Sequence, residues 1–227
     1  EECRVFIRHY KRCQIGSIHS PIADLVRQYP IRSTHVIAHI RKATHGSVTL
    51  ENCHPFQREL WGRNWVFAHN GELKDFVPDN LEIYQPVGNT DSEIAFCYIL
   101  ERFRRLFPLK KPPLAELYPV LRALSAEIAD KGIFNFLLTD GEHFFSHCST
   151  NLHYIVRQAP FAKAHLIDED ITVDFQELTG ESDRVAIIAT TPLTDNEVWT
   201  KIEPHQLLVF QDGLPIGQSL SLETSVF

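Results

Sequence analysis

The sequence predicts an α+β fold built from mainly antiparallel sheets, and three observations carry that expectation. Strand-like runs come first, two helical runs then follow one another directly, and strand-like runs fill most of the remainder. Helices grouped between sheet-forming segments argue against the strand–helix alternation of a parallel sheet. Asp140-Gly141, set between two apolar runs, has the chemistry of a hairpin turn. No G-x-G-x-x-G or G-x-x-x-x-G-K-[ST] loop occurs, so a nucleotide site of those types has no support.

Taken in chain order, residues 3–8 read as a strand. Pro21 to Gln28 reads as a short helix with Ser20 as its N-cap and Pro21 at the first helical position. His35 to Arg41 reads as a two-faced strand: Val36, Ala38 and Ile40 point one way, and His35, Ile37, His39 and Arg41 the other. Trp65 to His69 is an apolar strand that stops at Asn70-Gly71, a dipeptide that favours a tight turn. A helix opens at Thr90, which with Glu93 makes a capping box, and its apolar stripe is Ile94, Cys97, Leu100, Phe103 and Phe107. A second helix spans about Pro113 to Lys131 with Leu114, Leu117, Leu121, Leu124 and Ile128 on one face, and Gly132 sits where a C-cap glycine belongs. Strands are then expected at Ile133–Leu138, His143–Cys148, His153–Arg157, Val185–Ala189 and Leu207–Phe210.

The 227 residues carry no long linker, repeat or low-complexity tract, and the reading is one domain over residues 1–227. Twenty-two basic against 29 acidic side chains give a net charge of −7, the wrong sign for a nucleic-acid binder. No apolar run is long enough to span a membrane and no secretory leader opens the chain. Five cysteines (Cys3, Cys13, Cys53, Cys97, Cys148) without a C-x-x-C spacing fit free thiols in a reducing cytoplasm.

Three polar segments end structural elements, where sites are commonly built: Arg41 to Gly46, Ala68 to Leu73, and Gly88 to Glu93. Each has a plain explanation by itself. Arg41 fits a surface ion pair, Asn70-Gly71 a turn, and Asp91 the favourable first turn of a helix. Together, however, HIRKATHG (His39–Gly46), AHNGEL (Ala68–Leu73) and GNTDSE (Gly88–Glu93) resemble the class II glutamine amidotransferases. ENCHPF (Glu51–Phe56), RELWGRNW (Arg58–Trp65) and ATTPLTDNEVW (Ala189–Trp199) are similar to a stand-alone subfamily of these N-terminal-nucleophile hydrolases. The resemblance implies a sandwich of two mainly antiparallel sheets between helical layers, and attack on the side-chain amide of glutamine.

It also implies roles. Arg41 would grip the substrate carboxylate with its planar fork, Asp91 would accept from the ammonium, and Thr44 and His45 would shape the binding loop. The Asn70 side-chain amide and the Gly71 N–H would face the oxyanion of the tetrahedral intermediate. Glycine suits that second place because the backbone must come close to substrate. The family nucleophile is an N-terminal cysteine whose own α-amine acts as base. Here residue 1 is Glu1 and the chain contains no methionine. Cys3 lies too close to Arg41 to match that cysteine, so a first strand and loop of about forty residues are expected to precede this segment. Cys97 and Cys148 read as core thiols.

The expected activity is hydrolysis of a γ-glutamyl amide through a cysteine thioester. The leaving group is open: ammonia from glutamine, delivered to an accepting partner protein or released, or the amine of a γ-glutamyl peptide. No metal or organic cofactor is implied. Two other classes compete. His35, His39, His45, His54 and His69 invite a zinc site, although no H-E-x-x-H or H-x-H spacing occurs and hydrogen-bonded imidazoles are the plainer reading. A non-catalytic glutamine-binding relative would follow if no cysteine precedes Glu1.

Overall fold

The computed structural model describes residues 33–39, 49–79, 81–167, 171–174 and 180–216. The expected strand at 3–8, the helix at 21–28, and Arg41, Thr44 and His45 lie outside these. After a 3₁₀ turn at Leu50–Asn52 come β1 (Phe56–Leu60), β2 (Arg63–Asn70), α1 (Asp91–Leu106) and α2 (Leu114–Ala129). Nine strands follow: β3 (Asn135–Thr139), β4 (Phe144–Cys148), β5 (His153–Gln158), β6 (Lys163–Leu166), β7 (Ile171–Asp174), β8 (Arg184–Ala189), β9 (Thr200–Lys201), β10 (Gln206–Gln211) and β11 (Leu214–Pro215).

Every strand pair is antiparallel. The main sheet has the order β1-β2-β3-β4-β10-β11, a second has β8-β5-β9, and β6 pairs with β7. Alternation along the strands gives the main sheet two buried faces. Trp65, Phe67, Phe136, Leu138, Phe145, Leu207 and Val209 point to α1 and α2, where they meet Phe96, Leu100, Phe103, Leu117 and Leu121. Phe144, Leu208 and Phe210 face the other way with Leu137, against Tyr154, Ala186 and Ile188 of the second sheet. Among the described residues the arrangement is thus helices, sheet, sheet, an α+β fold of stacked antiparallel sheets with helices on one side.

Both predicted helices that fall on described residues form. α2 buries Leu117, Leu121, Leu124 and Ile128, the expected stripe. α1 is buried much more widely than its stripe, because the 73–87 segment covers the face the sheet leaves open: the backbone N–H groups of Ile83 and Tyr84 donate to Glu101 Oε2 at 2.9 and 3.1 Å.

Three expectations are corrected and one element was missed. Residues 35–39 alternate in burial as a strand would, with His35, Ile37 and His39 inward, but they join no ladder. Asn70-Gly71 is no hairpin turn: β2's one hairpin is at Trp61-Gly62 with β1, and at its Asn70 end it pairs with β3, far along the chain. The Asn70 side continues as a crossing in which Ile133 N–H donates to Glu72 O at 3.0 Å and Lys74 N–H to Lys131 O at 2.8 Å. The capping box is half made. Thr90 accepts from the Glu93 N–H at 3.2 Å, whereas the Glu93 carboxylate turns to the N–H groups of Val87 and Gly88 and to Arg58. β1 went unpredicted, since its centre, Gln57-Arg58-Glu59, shows no apolar alternation. The Asp140-Gly141 hairpin between β3 and β4 is as expected.

Candidate functional site

β2 outruns its outer neighbour. β1 begins at Phe56 opposite Phe67, so beyond Phe67 β2 has β3 on one side and, among the described residues, no strand on the other. Hydrogen bonds along an antiparallel strand alternate between its two sides. Gly71 is the first residue past β2, set between Asn70, which pairs with Asn135, and Glu72, whose O accepts from the Ile133 N–H. Side-chain alternation meanwhile turns His69 toward α1 and Asn70 toward the second sheet. There Asn70 Nδ2 donates to Thr190 Oγ1 at 3.1 Å, just past the end of β8. Asn70, Gly71 and Thr190 are all exposed.

Gly71 has a structural reason that the sequence did not reveal. A Cβ there would lie 1.9 Å from Ile133 O and 2.7 Å from His69 Nε2. Gly132 faces the same crossing from the other chain segment, where a Cβ would stand 2.1 Å from Glu72 O. Two glycines therefore let the segment after β2 and the segment after α2 pass in backbone contact.

Asp91 reaches the same segment after β2. Its Oδ2 accepts from the Leu73 N–H at 2.7 Å and its Oδ1 from the Ser92 N–H at 2.8 Å. The start of α1 is thereby tied to the segment that carries Asn70 and Gly71, so two of the three motifs meet. Below them His69 Nδ1 lies 2.8 Å from Ser92 Oγ and Nε2 lies 2.9 Å from Ile133 O. A carbonyl can only accept, so Nε2 carries the proton. Burial lowers the His69 pKa, which keeps the ring neutral and makes Nδ1 the acceptor of the Ser92 hydroxyl.

The 87–93 loop is fastened by residues outside the three motifs. Asn52, 1% exposed, donates to Asn89 Oδ1 at 2.9 Å and accepts from the Asn89 N–H at 3.0 Å. Arg58 pairs with Glu93, whose side chain is 2% exposed. These partners went unrecognised as a framework because each lies more than thirty residues from the group it holds.

Several expectations about other residues can be placed. Cys97 and Cys148 are fully buried, and burial raises both thiols, that of Cys97 to about 11. Neither can supply a thiolate near neutral pH. The zinc reading fails for His35 and His69. His35 Nδ1 is 2.5 Å from Thr139 Oγ1 at one end of β3, whereas His69 bonds Ile133 beyond the other end, about 20 Å away at strand rise. His39 instead packs against His54, the rings tilted by 31° with centroids 4.3 Å apart. Asp140, Glu142 and His143 cluster closely enough to bind a cation, but Lys111 already occupies their centre, 3.0 Å from Glu142 Oε2 and 3.2 Å from His143 Nδ1.

Comparison with known proteins bears on this geometry. Residues 6–225 match the family described as "Glutamine amidotransferases class-II". This chain belongs to that family. A Haemophilus influenzae protein named "Putative glutamine amidotransferase" is 50% identical over 93% of this chain and 71% of its own. An Escherichia coli protein named "Putative glutamine amidotransferase YafJ" is 48% identical, covering 86% and 76%. A crystal structure of a "predicted glutamine amidotransferase" from Pseudomonas aeruginosa is 47% identical and superposes with a TM-score of 0.71, over 79% of this chain and 70% of that one. No helix among the described residues is long and apolar enough to cross a membrane.

Proposed function

We propose that this amidotransferase domain hydrolyses a γ-glutamyl amide through a cysteine thioester, the cysteine being supplied by residues that precede Glu1. The thiolate adds to the side-chain carbonyl carbon, and the oxygen takes up the negative charge facing Asn70 Nδ2 and the Gly71 N–H. Collapse breaks the C–N bond, the amine leaves with the proton that the terminal α-ammonium gives it, and a thioester remains. Water then adds to the thioester carbon, glutamate departs, and the thiol is restored. Arg41 and Asp91 hold the carboxylate and ammonium at the far end of the substrate, with Thr44 and His45 shaping the loop around them.

The observation that carries this reading is the convergence at the end of β2. The exposed Asn70 side-chain amide and the exposed Gly71 backbone sit side by side beyond the last residue of β2 that β1 pairs, and the Asp91 carboxylate is bonded to the backbone two residues on. Preorganised donors of this kind are worth about 3–4 kcal/mol each to a transition state.

Glutamate and ammonia release from glutamine, and glutamate release from γ-glutamyl peptides, test the proposal in the full-length protein. Asn70→Ala should lower kcat by about 10²–10³ with little change in KM, and Arg41→Ala should chiefly raise KM. An Asn70→Ala enzyme with wild-type kcat removes the oxyanion assignment. Comparing glutamine with the peptides decides whether ammonia or a peptide amine is the natural leaving group, and hence whether an ammonia-accepting partner is needed.

A further inference from the structure

Asn70 is held through its backbone oxygen and its side-chain nitrogen by a closed ring of polar groups. Its backbone carbonyl oxygen accepts from Asn135 Nδ2 at 3.1 Å, and Asn135 is 4% exposed. The same Asn135 amide donates to Thr150 Oγ1 at 2.8 Å, while Asn135 Oδ1 accepts from the N–H groups of Ser149 and Thr150 at 2.8 and 3.0 Å. The next residue, Asn151, donates to Thr190 O at 2.9 Å, and His153 Nδ1 lies 3.2 Å from the same oxygen. Thr190 closes the ring by accepting from Asn70 Nδ2 through Oγ1 at 3.1 Å.

The ring solves a specific problem. A strand-end asparagine exposed to water has two free side-chain torsions, and a wandering amide is a poor oxyanion donor, because electrostatic stabilisation depends on dipoles fixed before the charge appears. A primary amide has two N–H bonds. One resting on Thr190 leaves the other aimed and unspent. Because Asn70 lies on the face of β2 that looks toward the second sheet, its support comes from that side. The Thr190 backbone is clamped by Asn151 and His153, so its hydroxyl is held in place.

We propose that Thr190 is a positioning residue for the amidotransferase reaction, orienting the Asn70 side-chain amide toward the oxyanion. This rests on the reading of Asn70 given above. Thr190→Val keeps the branched shape and removes the hydrogen-bonding hydroxyl; Thr190→Ser restores the hydroxyl and loses the methyl.

In the full-length enzyme, glutamate release from glutamine should show Thr190→Val lowering kcat about three- to tenfold, the worth of one hydrogen bond, with KM within twofold. Thr190→Ser should recover most of that loss, and Thr190→Val should have no further effect in an Asn70→Ala background. A second measurement needs no turnover: the ¹⁵N-labelled Asn70 side-chain NH₂ pair should shift in Thr190→Val and return toward its wild-type position in Thr190→Ser. Unchanged Asn70 NH₂ resonances in the valine variant, or a kcat loss that persists without Asn70, would overturn the assignment. Wild-type protein that hydrolyses no γ-glutamyl compound, yet shows the resonance shift, would refute the proposed activity and leave the hydrogen bond established.

Discussion

Replacing Gly71 by Ala gives a direct measure of the backbone crossing under the candidate site. The added Cβ would fall 1.9 Å from Ile133 O, more than 1 Å short of the 3.0 Å that such atoms keep, so the two segments must separate. Three hydrogen bonds span that contact: Ile133 N–H to Glu72 O at 3.0 Å, Lys74 N–H to Lys131 O at 2.8 Å, and His69 Nε2–H to Ile133 O at 2.9 Å. A shift of an ångström stretches the first and third beyond bonding range. Two bonds at about 1 kcal/mol each, with about 1–3 kcal/mol for leaving a buried imidazole N–H unpaired, give a loss of about 3–5 kcal/mol. Urea unfolding followed by fluorescence or circular dichroism reads this as a lowered midpoint at unchanged slope. Gly141→Ala is the control: nothing lies within 4 Å of its Cβ, so only the backbone strain of φ +85° applies, about 1 kcal/mol. A Gly71→Ala variant no less stable than Gly141→Ala would refute the reasoning.

Two further outcomes follow from the same geometry. Arg58→Ala strands the Glu93 carboxylate, 2% exposed, and should cost about 3 kcal/mol in urea unfolding despite the two backbone donors that remain; a loss under 1 kcal/mol would show the pair to be dispensable. Burial lowers the pKa of His35, His69, His143 and His147 from 6.5, so the folded chain keeps these rings neutral where the unfolded chain protonates them. Unfolding then takes up protons, stability is complete above about pH 6.5, and it declines as pH falls through the depressed folded values; equal urea midpoints at pH 7 and pH 5 would contradict this.

Much of the architecture was legible because it is written in local periodicity. The stripes of α1 and α2 and the apolar runs of β2, β3, β4 and β10 need only the spacing of side chains on a helix or a pleat. The Asp140-Gly141 hairpin joins neighbours and was equally plain. Asn70-Gly71 carries the same kind of turn chemistry but forms no turn, because the partner of Asn70 is Asn135, supplied only after both helices. The Glu93 half of the capping box failed for a similar reason: a half-buried arginine and two loop N–H groups outcompete its local partner. Residues 35–39 alternate correctly yet remain outside any ladder, since alternation specifies faces and not a pairing strand.

For the candidate site, motif residues alone determined the family and nominated Arg41, Thr44, His45, Asn70, Gly71 and Asp91. What surrounds Asn70, Gly71 and Asp91 was decided by tertiary structure. Asp91 meets Leu73 across 18 residues, and Asn70 meets Thr190 across 120. Gly71 is required by a carbonyl on a segment that reaches it only when α2 has packed and returned the chain to the sheet. Such contacts depend on how sheets and helices stack. A pattern that repeats every two or four residues encodes which face is buried, but it carries no record of which distant backbone will come to rest against it.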